Sequence, residues 1–252
     1  MEYNGMVIEQ GTLVSYDGTP EGGILILPSG VKSIGEAAFQ SCRGLRTVVM
    51  NEELTHIGVL AFEYCDDLTS VVLREGLLEI DEYAFSNCEL LRDLSLPSSI
   101  RAIGLGAFNN CKTLTQVKLP PNLVAIEQWS FSSSGLTSVV IPDRVCFIGE
   151  QAFDYCKNLT AVTFPESLRA IGDEAFSSCS RLAKITIPEG VKTIGERAFD
   201  HCESLTAVYL PASLATIGED AFWGCDWVTI YAPAGSYAET YAKENEIPFR
   251  AI

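Results

Sequence analysis

Ile194-Gly195-Glu196-Arg197-Ala198-Phe199-Asp200-His201-Cys202-Glu203-Ser204-Leu205 is one of nine variations on a single phrase. Its phenylalanine recurs at Phe39, Phe62, Phe85, Phe108, Phe131, Phe153, Phe176, Phe199 and Phe222, every 23 residues except for the 22 between Phe131 and Phe153. Five residues before each Phe stands an isoleucine, from Ile34 to Ile217. Three residues after it stands a cysteine, from Cys42 to Cys225, with Ser134 in the fifth copy. A leucine slot follows, from Leu45 to Leu205, with Trp227 in the ninth copy. The fifth and ninth copies lack one residue between the last two slots, which accounts for the interval of 22.

Working outward from this phrase, the residues after the leucine slot alternate, as in Val48/Met50, Val71/Leu73, Val117/Leu119, Val139/Ile141 and Val208/Leu210. A period of two predicts a short strand with one face buried. Pro97, Pro120, Pro142, Pro165, Pro188 and Pro211 follow it, and Pro lacks the N–H that a ladder needs, so the strand ends there. The stretch Ile194–Phe199 opens with a Gly turn and has room for about one helical turn. Each coil has an apolar side that it cannot bury alone. Stacking like on like puts Ile, Phe and Cys in continuous columns, with coils about 4.8 Å apart. The expected architecture is a right-handed stack of 23-residue coils, mostly β, capped at both ends. Residues 1–23 read as an N-terminal cap hairpin, 24–232 as about nine repeats, and 233–252 as a C-terminal cap with a short helix capped by Ser236. Tyr237, Tyr241 and Ala242 are expected to cover the last coil, and Ile247 and Phe249 to return along it.

Composition narrows the function. The 252 residues carry 33 acidic and 17 basic side chains, a net charge of −16, with 47% hydrophobic residues. A core is available, and no excess of Lys or Arg exists to displace counterions from nucleic-acid phosphates. No apolar run approaches the ~20 residues that span a bilayer, so no membrane insertion is expected. Met1-Glu2-Tyr3-Asn4-Gly5 has neither a basic start nor an apolar stretch of signal-peptide length. The expectation is a cytoplasmic protein as the chain stands, with the cell surface as the alternative if it is a fragment.

The Ile-Gly-x-x-Ala-Phe-x-x-Cys-x-x-Leu core and the Leu-Pro or Ile-Pro strand ends resemble the BspA-like (Treponema-type) branch of the leucine-rich repeat class. Gly11–Gly18 before Ile24-Leu25-Ile26-Leu27-Pro28 is similar to the opening unit of that branch, and Ile230–Ala242 to its closing unit. Ser134 for Cys, Ser130 for Ala, and Asp81 and Glu127 for Gly depart from the pattern. The resemblance implies an α/β leucine-rich repeat solenoid, and a protein-binding scaffold, often displayed on bacterial or protist surfaces, without catalytic residues to transfer.

The inventory of reactive groups agrees. Eight of nine cysteines occupy one slot, without a Cys-x-x-Cys pair or a nearby His, so buried thiols are expected rather than a metal centre or disulfides. Cys146 lies outside that column, in a slot expected to face outward. His56 and His201 fall in the second and eighth copies, too far apart to serve one site. No Gly-rich phosphate loop or calcium loop occurs. No catalytic, metal or cofactor-binding residues are therefore assigned.

Partner recognition must sit in the varied slots. One such surface is the outward face of the strands, nearly uncharged, with Val49, Val72 and Val140 and the aromatic anchors Tyr209 and Tyr231. Propensity for β-branched residues in strands also accounts for its Val and Thr content. A second is the slot two residues before Phe, where Leu60, Tyr83 and Trp129 give way to Gln151, Glu174, Arg197 and Asp220. It is expected to bind a protein partner or, weakly, another copy, unless its side chains fold over neighbouring coils. The third is the scattered acidic pairs, expected to be a solvated surface. The partner expected is a protein of unknown identity. The alternative reading is an adhesion or structural module that binds host or matrix protein.

Overall fold

The computed structural model describes residues 5–252. The chain forms two compact units, Met1–Leu123 with Ser133–Gly135, and Val124–Ser132 with Leu136–Ile252. Each is a mostly β solenoid.

In the first unit, β1 (Met6–Glu9) and β2 (Thr12–Tyr16) form an antiparallel hairpin. β2 continues into a parallel ladder of two-residue strands, Ser33–Ile34, His56–Ile57, Glu79–Ile80 and Ala102–Ile103. The isoleucines pair in register, Ile34 with Ile57 and Ile80 with Ile103. This ladder was not expected, because two residues are too few to show a period. The alternating stretches form a second parallel ladder, Ile24–Ile26, Thr47–Val49, Ser70–Val72 and Asp93–Leu94. Contrary to expectation, no strand forms at residues 115–119. The copy that follows is one residue short, and the Gly135 N–H turns back to the Cys111 carbonyl at 3.2 Å.

The second unit repeats the scheme. Ala125–Ile126, Phe147–Ile148, Ala170–Ile171, Thr193–Ile194 and Thr216–Ile217 form one ladder, and Ser138–Val140 pairs with Ala161–Thr163. Lys184–Thr186, Ala207–Tyr209, Thr229–Ala232 and Phe249–Ala251 form another. The helix α1 (Tyr237–Glu244) starts at Ser236, whose hydroxyl accepts the Glu239 N–H at 3.4 Å. Ala238, Tyr241 and Ala242 are buried, and the Tyr241 ring meets Phe222 at 6.3 Å. Tyr237, the first residue of the helix, is exposed instead of covering the last coil.

The Phe slots form parallel stacks. Ring centroids lie 4.8, 5.0 and 5.5 Å apart from Phe39 to Phe108, and 5.2–5.6 Å apart from Phe131 to Phe222. These distances follow the expected strand spacing, since one coil's advance sets both. The segments around Phe do not form the expected helical turn. The residues two before and two after Phe are left-handed, as at Ala37 (φ 53°) and Ser41 (φ 56°). Alternating handedness aims every second N–H at the next coil. Ala37, Phe39 and Ser41 donate to the carbonyls of Val59, Ala61 and Glu63 at 2.9, 2.8 and 2.7 Å. A helical turn would spend those donors within its own coil.

Candidate binding surfaces

The outward strip is laid out by the strand register. In the first unit Val49 pairs with Val72 and with Ile26, and Ile24 and Ile26 are exposed on the same face. The two isoleucines were missed by the sequence reading, although the 23-residue register places them in outward slots. In the second unit Val140 is 66% exposed. Tyr209 and Tyr231 pair in register and stack at 4.7 Å, and Lys184 Nζ lies 4.5 Å above the Tyr209 ring. This is an aromatic ledge with one cation seated on it.

The edge slot behaves differently. Leu60 (φ 58°) and Tyr83 (φ 53°) hold equivalent places in consecutive coils of the first unit, and the Leu60 N–H donates to the Glu82 carbonyl at 3.0 Å. Both are half-buried, and Tyr83 lies over Gly106, where a Cβ would collide with its ring. Trp129 belongs to the second unit, and its indole N–H donates to the Gln151 side chain, which donates to Glu174 at 2.5 Å. Tyr83 and Trp129 thus lean along the stack toward the next coil.

Several carboxylates are fasteners between coils rather than plain solvated charge. Glu53 accepts the Gly30 N–H at 2.9 Å, Asp67 that of Gly44 at 2.8 Å, and Glu189 that of Ala212 at 3.0 Å. Glu75 accepts from the Ser98 and Ser99 backbones, and these bonds, the Ser98 N–H first, hold its carboxyl below the usual range.

The cysteine column is buried from Cys65 onward, while Cys42 is half-buried and Cys146 exposed. Each buried Sγ points at a Phe carbonyl of the previous coil, as Cys65 to Phe39 at 3.1 Å and Cys179 to Phe153 at 3.3 Å. The thiols therefore act as weak donors as well as space-fillers. Burial pushes the Cys111 thiol up to about 12.

Two polar clusters stand apart from these surfaces. His56 lies between two carboxylates of the next coil, Nδ1 3.4 Å from Glu79 and Nε2 2.9 Å from Asp81. The sequence reading missed it by weighing His56 only against His201. His56 and Glu79 share one slot 23 residues apart, and Asp81 replaces the repeat glycine, so the signal was present. In the second unit Tyr155, Glu174, Arg197, Asp200, His201 and Trp223 line a groove of about 510 Å³, with His201 edge-on to Trp223 at 4.6 Å. Among the described residues, neither histidine is hydrogen-bonded to a serine or cysteine.

Stacked 23-residue coils with parallel ladders, a Phe column and end caps define a leucine-rich repeat solenoid. The family model described as BspA type Leucine rich repeat region matches residues 23–137 and 124–245 in six copies, and the chain belongs to that family. The leucine-rich repeat protein of Treponema pallidum, TpLRR, is 28% identical, with a TM-score of 0.56 over 77% of this chain and 82% of its own. The pneumococcal vaccine antigen PcpA shares the fold at 15% identity, with a TM-score of 0.52 over 96% of this chain and 82% of its own. A leucine rich cell surface protein from Faecalibacterium prausnitzii is 22% identical, with a TM-score of 0.48 and 92% of each chain covered. No curated protein matches the sequence.

Proposed function

We propose that this protein is a non-catalytic scaffold that binds another protein through the outward face of its strands. One observation carries the reading. On a chain of net charge −16, that face keeps Val49 and Val72 in register in one unit, and the Tyr209–Tyr231 ledge in the other. Aromatic side chains with two torsions each present large area at low entropic cost, which suits recognition. The edge residues Leu60, Tyr83 and Trp129 are the second candidate surface, for a partner or for weak self-association. Membership of a repeat family used for binding supports the non-catalytic part.

The test is a photo-crosslinking amino acid placed at position 231 and, as control, at position 63 outside the strand face. A partner captured at 231, not at 63, and lost in Tyr209→Ala is the expected result. Equal capture at both positions would refute the strand face as the site. Sedimentation of Trp129→Ala tests the edge, since unchanged self-association removes it.

The free thiols suit a reducing setting, and we place the protein in the cytoplasm on that ground. An adhesive role outside an anaerobe accommodates the same thiols. Labelling of intact cells with a membrane-impermeant reagent separates the two.

A further inference from the structure

The imidazole of His56 has a carboxylate at each nitrogen, and both come from the next coil. Glu79 is the register partner of His56 in the parallel ladder, and Asp81 lies two residues further along the same strand direction, so both side chains project to one side. One ligand atom from each of the three residues can be chosen such that all lie within 4.8 Å of one another. Neither carboxylate has a Lys or Arg partner among the described residues, so two negative groups share a single imidazole.

The repeat does not ask for this arrangement. Asp81 fills a slot held by glycine in the coils on either side, at Gly58 and Gly104, where a Cβ at Gly104 would lie 2.6 Å from the Asp81 backbone. That slot holds a carboxylate twice, at Asp81 facing His56 and at Glu127, where the preceding copy carries Ala102 in the histidine's place. An ion pair needs only one carboxylate, and here two contact the ring, Asp81 more closely than Glu79.

We propose that His56, Glu79 and Asp81 bind a divalent first-row transition ion, Zn2+ or Mn2+ in class. A neutral imidazole with two carboxylates presents a charge of −2 and one nitrogen with two oxygens, the donor set of such ions rather than of Ca2+. Metal–ligand bonds of about 2.0–2.2 Å require the two carboxylates, now at different ring nitrogens, to converge on one of them by rotation about partly exposed side chains. Three protein ligands leave positions open for water or for an acceptor on a partner. The site is independent of the binding function proposed above.

The full chain, with Cys146→Ser to remove the exposed thiol, is titrated calorimetrically with Zn2+, Mn2+ and Ca2+, and with Co2+ by absorption. The expected result is one equivalent of transition ion, without a thiolate charge-transfer band, bound at least tenfold more weakly in His56→Ala and in Asp81→Gly. Asp81→Gly restores the regular repeat residue and so keeps the fold, which circular dichroism checks. Absent binding, binding unchanged in both variants, a thiolate band, or Ca2+ binding that ignores His56→Ala would each overturn the site.

Discussion

Phe176→Ala deletes a fully buried ring that touches three others. Phe153 and Phe199 stack on its faces at 5.2 and 5.4 Å, and Phe164 meets it edge-on at 5.7 Å. Truncating a buried Phe costs about 3–5 kcal/mol, and aromatic pairs contribute about 0.5–1.5 kcal/mol each beyond burial. With three pairs lost together, the substitution belongs at the upper end, about 5 kcal/mol. Phe176→Leu keeps most of the volume and loses the three ring contacts, for about 2 kcal/mol. Phe222→Ala removes one stack at 5.6 Å and the looser Tyr241 contact at 6.3 Å, and falls near 3 kcal/mol. Urea unfolding followed by far-UV circular dichroism gives the three values from midpoint and slope. Repeat arrays can unfold in parts, so hydrogen exchange at the Phe153 and Phe176 amides, which donate to Ala175 and Ala198, reads the same loss locally. A Phe176→Ala cost below about 2 kcal/mol, or equal costs for the Leu and Ala variants, would refute the argument. The rings would then fill space without acting as a column.

Other outcomes follow from single positions. A thiol reagent at pH 8 should modify Cys146 rapidly and Cys42 slowly, and reach all nine cysteines only in denaturant, because burial raises the Cys88, Cys111 and Cys179 thiols and leaves almost no thiolate. Asp154, pushed up to about 6 mainly by burial and further by Glu174 and Asp200, binds its proton more tightly folded than unfolded. Its charged form destabilises the fold above pH 6, and that loss disappears as pH falls toward the usual value near 3.9. Asp154→Asn should therefore stabilise the protein at pH 7, by up to about 3 kcal/mol, and lose most of this advantage by pH 4 in parallel urea titrations. A difference between the two proteins that does not vary with pH would contradict the shift. Leu60→Val puts a β-branched residue at φ 58° and should cost about 1–2 kcal/mol more than Leu60→Gly in thermal unfolding. Equal melting temperatures would argue against the left-handed turn.

Much of the solenoid was legible in the residue order. The Ile, Phe, Cys and Leu slots repeat often enough to mark the core, except in the ninth copy, where the buried Val228 and not the exposed Trp227 fills the Leu slot; the Ile column was expected, but not its form as a ladder of two-residue strands. The strand at Val117/Leu119 was misread, since its side chains keep the alternation without forming a ladder. The left-handed slots also went unread. Leu60, Tyr83, Trp129, Tyr155 and His201 adopt positive φ without being glycine, and the hint in the sequence is negative: no Val, Ile or Thr occupies either slot. The binding surfaces were only partly readable, because an outward slot is visible in the repeat while the lean of Tyr83 over Gly106 is not.

The period and chemical identity of its slots determined by themselves that this chain stacks in 23-residue coils, because an apolar side repeated at a fixed interval has no other way to leave water. Tertiary structure alone decided the handedness of the turns, the aim of the thiols, the carboxylate fasteners and the setting of His56 between Glu79 and Asp81. Those features depend on hydrogen bonds and contacts between residues more than 20 positions apart, and a local stretch of sequence carries no energy term for a partner in the next coil.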